Sequence, residues 1–152
     1  MKNMMAALLV LSLQVVALAP VSAEGLMMAR SQLYFPEAMT ALQESILAHG
    51  YKITRVQRVD IGLTGFGYKT DKYRLVFFAK ADEVNEMTRK EPGLYAYLPL
   101  QVVIFAEQEN TLLVALHPRA LSEYFPAAEL RTQFLRWESD MNSIFDDVRN
   151  AE

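Results

Sequence analysis

The sequence predicts a single α+β domain, roughly β-α-β-β-α-β-β-α, in which one sheet is packed by helices. Three observations carry this. Two apolar runs of strand length, Leu100 to Glu107 and Thr111 to His117, flank the polar link Gln108-Glu109-Asn110 and read as a β-hairpin. Near the end of the chain Leu130, Phe134, Trp137, Met141, Ile144 and Val148 fall at intervals of 4, 3, 4, 3 and 4, the mark of a helix with one apolar seam. Between the start and the hairpin, strand-like and helix-like segments alternate, and Pro or Gly bounds most of them.

The first residues belong to targeting rather than to the fold. Lys2, an apolar run from Met4 to Ala19 broken only by Ser12 and Gln14, then Pro20 and Val21-Ser22-Ala23 have the build of a secretory signal peptide. The apolar centre falls short of the roughly 20 residues a membrane span needs, so an uncleaved anchor is the lesser alternative. Cleavage is expected after Ala23, which makes residues 1–23 the leader, residues 24–152 the domain, and the location periplasmic or secreted. No Cys lies near that site, which excludes a lipid anchor, and no Arg-Arg pair precedes the run, so nothing suggests export of a prefolded, cofactor-loaded protein. The whole chain has no Cys, so no disulfide staples an exported fold and no thiol chemistry is available. Without Lys2 the balance is mildly acidic and holds no basic block, which makes a poor nucleic-acid or anionic-membrane binder.

In order along the domain, Leu26 to Tyr34 reads as a strand. Pro36 and Glu37 then open a helix with Met39, Leu42 and Ile46 as its stripe, and Gly50 ends it. His49 in its last turn reads as a helix-end imidazole rather than a ligand. Tyr51 to Val59 is a strand with a polar outer face, placed near a sheet edge. Gly62, Gly65 and Gly67 could cradle a phosphate only if a helix followed; the strand Tyr73 to Lys80 follows instead, so a loop or bulged hairpin is expected. Asp82 to Lys90 fits a helix capped by Asp82 and stopped at Pro92-Gly93. In the hairpin Val102, Ile104 and Ala106 face one way and Val103 and Phe105 the other. Leu113 and Ala115 likewise oppose Leu112, Val114 and Leu116, so both faces ask for cover. Asn110 is the residue expected to turn left-handed between the strands. After Pro118 comes a short helical turn from Arg119 to Phe125, and Pro126 begins the long helix, to about Arg149. Its seam, widened by Phe145, covers either its own sheet or another helix.

Several local strings resemble the domain-of-unknown-function family numbered 302, small α+β proteins, many of them bacterial. They are His49-Gly50 before a strand, Phe77-Phe78 before the short helix, Pro92 followed by Tyr97-Leu98-Pro99-Leu100, the Val102 to Glu107 strand, and Pro118 with Leu121 to Phe125. The resemblance covers about residues 26–125 and leaves 126–149 as a C-terminal helix. It implies the element order above and a dimer formed by exchange or close pairing of elements; it carries no activity. Tyr34-Phe35 stands where a small cap is usual, and Asn110 where the turn usually has glycine.

The chemistry inventory is thin. No Gly-x-Ser-x-Gly occurs. The two histidines lie 68 positions apart without companion ligands, Met27-Met28 is too small a cluster for copper, and Glu107, Glu109 and Asp146-Asp147 sit where solvated carboxylates usually do. No catalytic or metal residues and no cofactor are assigned. His117 and Arg119, where a strand leaves the sheet, with Tyr95, Tyr97, Arg30 and Lys80, form the candidate ligand site. The reading is a non-enzymatic exported domain, expected to be a homodimer. It would bind a small molecule or an envelope protein, with no nucleic acid and no membrane span after cleavage. An enzyme centred on His117 and an envelope scaffold using the C-terminal helix are the alternatives.

Overall fold

The structure is a computed structural model that describes residues 25–152. The leader expected over residues 1–23 and its cleavage after Ala23 lie outside the described residues. Strand β1 (Leu26–Ser31) buries Met27, Ala29 and Ser31 and exposes the residues between them. It ends at Ser31 rather than at Tyr34. The Ser31 hydroxyl donates to the Val148 carbonyl at 3.0 Å and accepts from the Leu33 N–H at 3.2 Å, which turns the chain out of the sheet. Helix α1 (Phe35–Ala48) has Pro36 and Glu37 in its first turn, and Gly50 follows at φ +79°, the left-handed position a helix end asks for. Its buried stripe is Phe35, Ala38, Leu42, Ser45 and Ile46; Met39 is only partly covered.

Strand β2 (Lys52–Arg58) is an edge strand, as its polar face indicates. The glycine-rich connection that follows is not simply a loop: its first part is a short helix, α2 (Val59–Gly65). Asp60 favours that helix from its first turn and is ion-paired to Arg74 of β3 (Tyr73–Ala79), while Thr64 Oγ1 donates back to the Asp60 carbonyl at 2.8 Å. Of the three glycines only Gly67, at φ +86°, occupies a left-handed position. A strand follows them, so no helix N-terminus completes a phosphate cradle. Helix α3 (Ala81–Lys90) runs acid to base, but Lys80 and not Asp82 stands at its N-cap, and no side chain caps it.

A 3₁₀ turn over Pro92–Ala96 leads to β4 (Leu100–Glu107) and β5 (Asn110–Leu116). The hairpin turn has two residues, because Glu107 pairs with Asn110, and Gln108 at φ +57° takes the conformation expected of Asn110. After the 3₁₀ turn Pro118–Ala120 and the single turn α4 (Leu121–Tyr124), α5 runs Ala128–Asn150.

All five strands are antiparallel, in the order β1-β5-β4-β3-β2. The register puts Met27, Ala29, Leu113, Ala115, Val102, Ile104, Val76 and Phe78 on one face, and all are buried. Helices α1 and α5, which also pack on each other, supply the cover. All seven seam residues of α5 are buried, each worth about 1.5–3 kcal/mol as removed apolar surface, so the seam is consumed within its own chain. The other face carries the rows Met28-Val114-Val103-Leu75 and Arg30-Leu112-Phe105-Tyr73. Helix cover lies on the first face, and here Leu112 is buried, Val103, Phe105 and Val114 stay half-buried, and Met28 and Leu116 are exposed.

Candidate functional site

Where β3 and β5 end and β4 begins, the two 3₁₀ turns close the sheet against α5. The closure is incomplete. A cavity of about 140 Å³ remains, lined by Phe77, Leu100 and Leu116 from the strands, the Tyr97-Leu98-Pro99 link, and Pro118, Leu121 and Met141 beneath. Gln101 is its amide-bearing wall. A cavity of this size in an apolar wall holds a benzene-sized group. Tyr97 is set by neighbours: it stacks on Tyr124 with centroids 6.1 Å apart and meets the edge of Phe125 at 5.7 Å. Phe125 in turn packs on Gly93, where an added Cβ would lie 2.8 Å from its ring. The 3₁₀ turn is pinned by Glu91, which accepts from the Gly93 N–H at 3.0 Å.

The six residues singled out from the sequence divide among four places. Tyr97 lines the cavity, and Tyr95 stands exposed beside it. His117 and Arg119 flank Pro118 of the cavity wall but turn to α5: Arg119 grips Glu138 through two nitrogens at 2.9 and 2.7 Å, and His117 Nε2 lies 3.6 Å from the same carboxylate. His117 Nδ1 is buried and has no hydrogen-bond partner among the described residues. Arg30 is not near this group; it pairs with Glu107 at 2.7 Å, beside the hairpin turn at the other end of β4 and β5. Lys80 belongs to a separate cluster.

That cluster is the one the sequence does not reveal, since its members lie up to 89 positions apart. Glu83 accepts from Trp137 Nε1 at 2.7 Å and Gln133 Nε2 at 3.2 Å and pairs with Arg136. Asp140 accepts from the Tyr51 hydroxyl at 2.6 Å and lies 3.5 Å from Lys80 Nζ, which sits 4.2 Å from the Tyr51 ring centroid. Burial, then the Asp140 hydrogen bond and its negative charge, push the Tyr51 phenol well above the usual tyrosine range. With both carboxylates already accepting from protein donors, the cluster ties α3 and the start of β2 to α5 and leaves no evident free base. Ser45, His49 and Asp147 also meet, in an order unsuited to a nucleophile. The Ser45 hydroxyl donates directly to Asp147 at 2.6 Å, and the imidazole bonds the Ser45 carbonyl at 2.9 Å instead of standing between them.

Among the described residues no three His, Asp or Glu side chains converge as a metal site requires, and no helix is long and apolar enough to cross a membrane. The arrangement can therefore seat a small apolar group at the sheet end, and it offers no assembled catalytic set around that seat.

Among solved structures, the crystal structure of an uncharacterized conserved DUF302 protein from Bacillus stearothermophilus is similar, with a TM-score of 0.75 at 16% identity, covering 82% of this chain and 98% of that one. At that identity the likeness speaks for the fold. No curated protein matches the chain. The family described as Domain of unknown function DUF302 matches residues 27–148, nearly all of the five strands and of α5, and the chain belongs to that family.

Proposed function

We propose that the domain is an exported, non-enzymatic binding module that takes a small molecule with a ring-sized apolar group in the cavity beneath Tyr97, and that it works as a homodimer. The cavity is the observation that carries the ligand reading: about 140 Å³, walled by Phe77, Leu98, Pro99, Leu116, Leu121 and Met141, with the Gln101 amide to orient a guest. The leader-like residues 1–23 support export, and the uncovered sheet face supports pairing. Ligand-observed NMR with benzyl alcohol tests the cavity. Saturation transfer to the ring is expected, and Leu116→Trp, which fills the space from a partly exposed position, removes it. Absence of transfer, or transfer untouched by that variant, overturns the reading.

One observation favours an enzyme instead, the unpartnered Nδ1 of His117 beside Glu138. Replacing His117 with Ala separates the two. Loss of benzyl alcohol binding or of any turnover at unchanged melting temperature would make His117 part of a site, whereas a lower melting temperature alone makes it a packing residue.

A further inference from the structure

We propose that the corner joining β2 to β3 is a docking surface for an anionic lipid bilayer. Helix α2 buries none of its residues, so it adds nothing to the core. Yet Ile61, Phe66 and Tyr68, exposed by 50%, 84% and 65%, stand together on this one connection. Single exposed apolar residues are ordinary, whereas three within eight positions mark a contact surface.

The charge around them says what the contact is. Arg55, Arg58 and Lys69 are exposed, and among the described residues none of them is in an ion pair. The two acids of the segment are occupied: Asp60 is paired with Arg74, and Asp71 accepts from the Lys72 N–H at 2.7 Å. From Arg55 to Arg74 five basic residues stand against two acidic ones, a local +3 on a chain of net charge −3. The acidic whole-chain balance, which by itself argues against anionic surfaces, hides this concentration. An apolar tip ringed by cations is the pattern of an interfacial anchor: hydrocarbon enters the acyl boundary while Lys and Arg hold the headgroups. A second copy fits poorly, because it would set Arg55, Arg58 and Lys69 against their own duplicates. Phe66 and Tyr68 could also stack on bases, but Ile61 offers no such face, so a single-stranded nucleic acid would use only part of the tip.

Residues 25–152 hold the whole sheet and its core, so the chain 24–152 is the material to test. Co-sedimentation would compare vesicles of phosphatidylcholine with vesicles containing phosphatidylglycerol as well. Binding is expected only to the second kind, weakening as salt is added. Phe66→Asp is expected to lower it about tenfold, and Arg55→Glu with Arg58→Glu at least as much, with melting temperatures unchanged because all three side chains are exposed. The proposal is overturned if the protein stays in the supernatant with both vesicles, if it partitions equally into both, or if the variants bind as the parent does. It is equally overturned if Phe66→Asp changes the mass seen by light scattering, which would assign the tip to a second copy. Binding of a single-stranded oligonucleotide that these variants abolish, with vesicles ignored, would also sink it.

Discussion

Gly93 shows how one missing side chain shapes the cavity wall. An added Cβ would lie 2.8 Å from the ring of Phe125, which meets Tyr97 edge-on and would have to shift. Gly93→Ala is therefore expected to cost about 1–3 kcal/mol, the usual range for overpacking. Because the displaced ring touches Tyr97, the variant should also weaken benzyl alcohol binding. A melting temperature within error of the parent's would show that the wall yields freely. Tyr51 makes a pH-dependent contribution. In the unfolded chain its phenol ionises near pH 10, whereas burial and Asp140 keep it protonated in the fold. The stabilisation is thus complete below about pH 10 and declines as pH rises further. Tyr51→Phe should lose about 1 kcal/mol at neutral pH with the hydroxyl's bond to Asp140. Above about pH 10 it should also decline less steeply than the parent in urea titrations. Parallel decline in the two proteins would place the alkaline loss at other groups.

Helix α5 is the element on which most of the core converges, and its two neighbouring positions Phe134 and Leu135 make a matched test. Phe134 is fully buried and packs 6.0 Å from the Trp137 ring; Leu135 faces water. Phe134→Ala is expected to cost about 3–5 kcal/mol, a large share of a domain's typical 5–15, while Leu135→Ala should stay within about 0.5 kcal/mol by denaturant midpoint. Equal effects at the two sites would contradict the single-faced packing of the helix. This helix was legible from sequence because its spacing is local information. The β4–β5 hairpin, the Gly50 stop and the polar edge strand β2 were legible for the same reason. Helix α2 was not, since its glycines argue for a loop and its first turn draws on Asp60 pairing with Arg74, 14 positions away. Nor was the two-residue turn, where pairing of Glu107 with Asn110 passed the strained position to Gln108. The site was the least legible part. Tyr97 belongs to the cavity, but Arg30 and Lys80 found partners at Glu107 and Asp140, and the Glu83–Trp137 bond joins residues 54 positions apart.

At the scale of the molecule, the sheet is covered once and apolar twice. Four strands, β1, β5, β4 and β3, spaced about 4.8 Å apart and some seven residues long present a face of roughly 400 Å² beside β2, whose Arg55 and Gln57 border it. Two such faces laid together would remove on the order of 800 Å², the size of a weak, transient interface. The face is apolar along the row Met28-Val114-Val103-Leu75, and its Arg30 is already neutralised by Glu107, so burial would strand no charge there. A dimer that buries so little surface would exchange with its monomer rather than be obligate. Light scattering of residues 24–152 should accordingly give a mass that rises from one chain toward two with concentration. Val103→Glu, at the centre of the face and on the side away from α1 and α5, should hold it at one chain without lowering the melting temperature of the monomer. A mass of one chain at every concentration would remove the dimer. A dimer indifferent to Val103→Glu would move it to another surface.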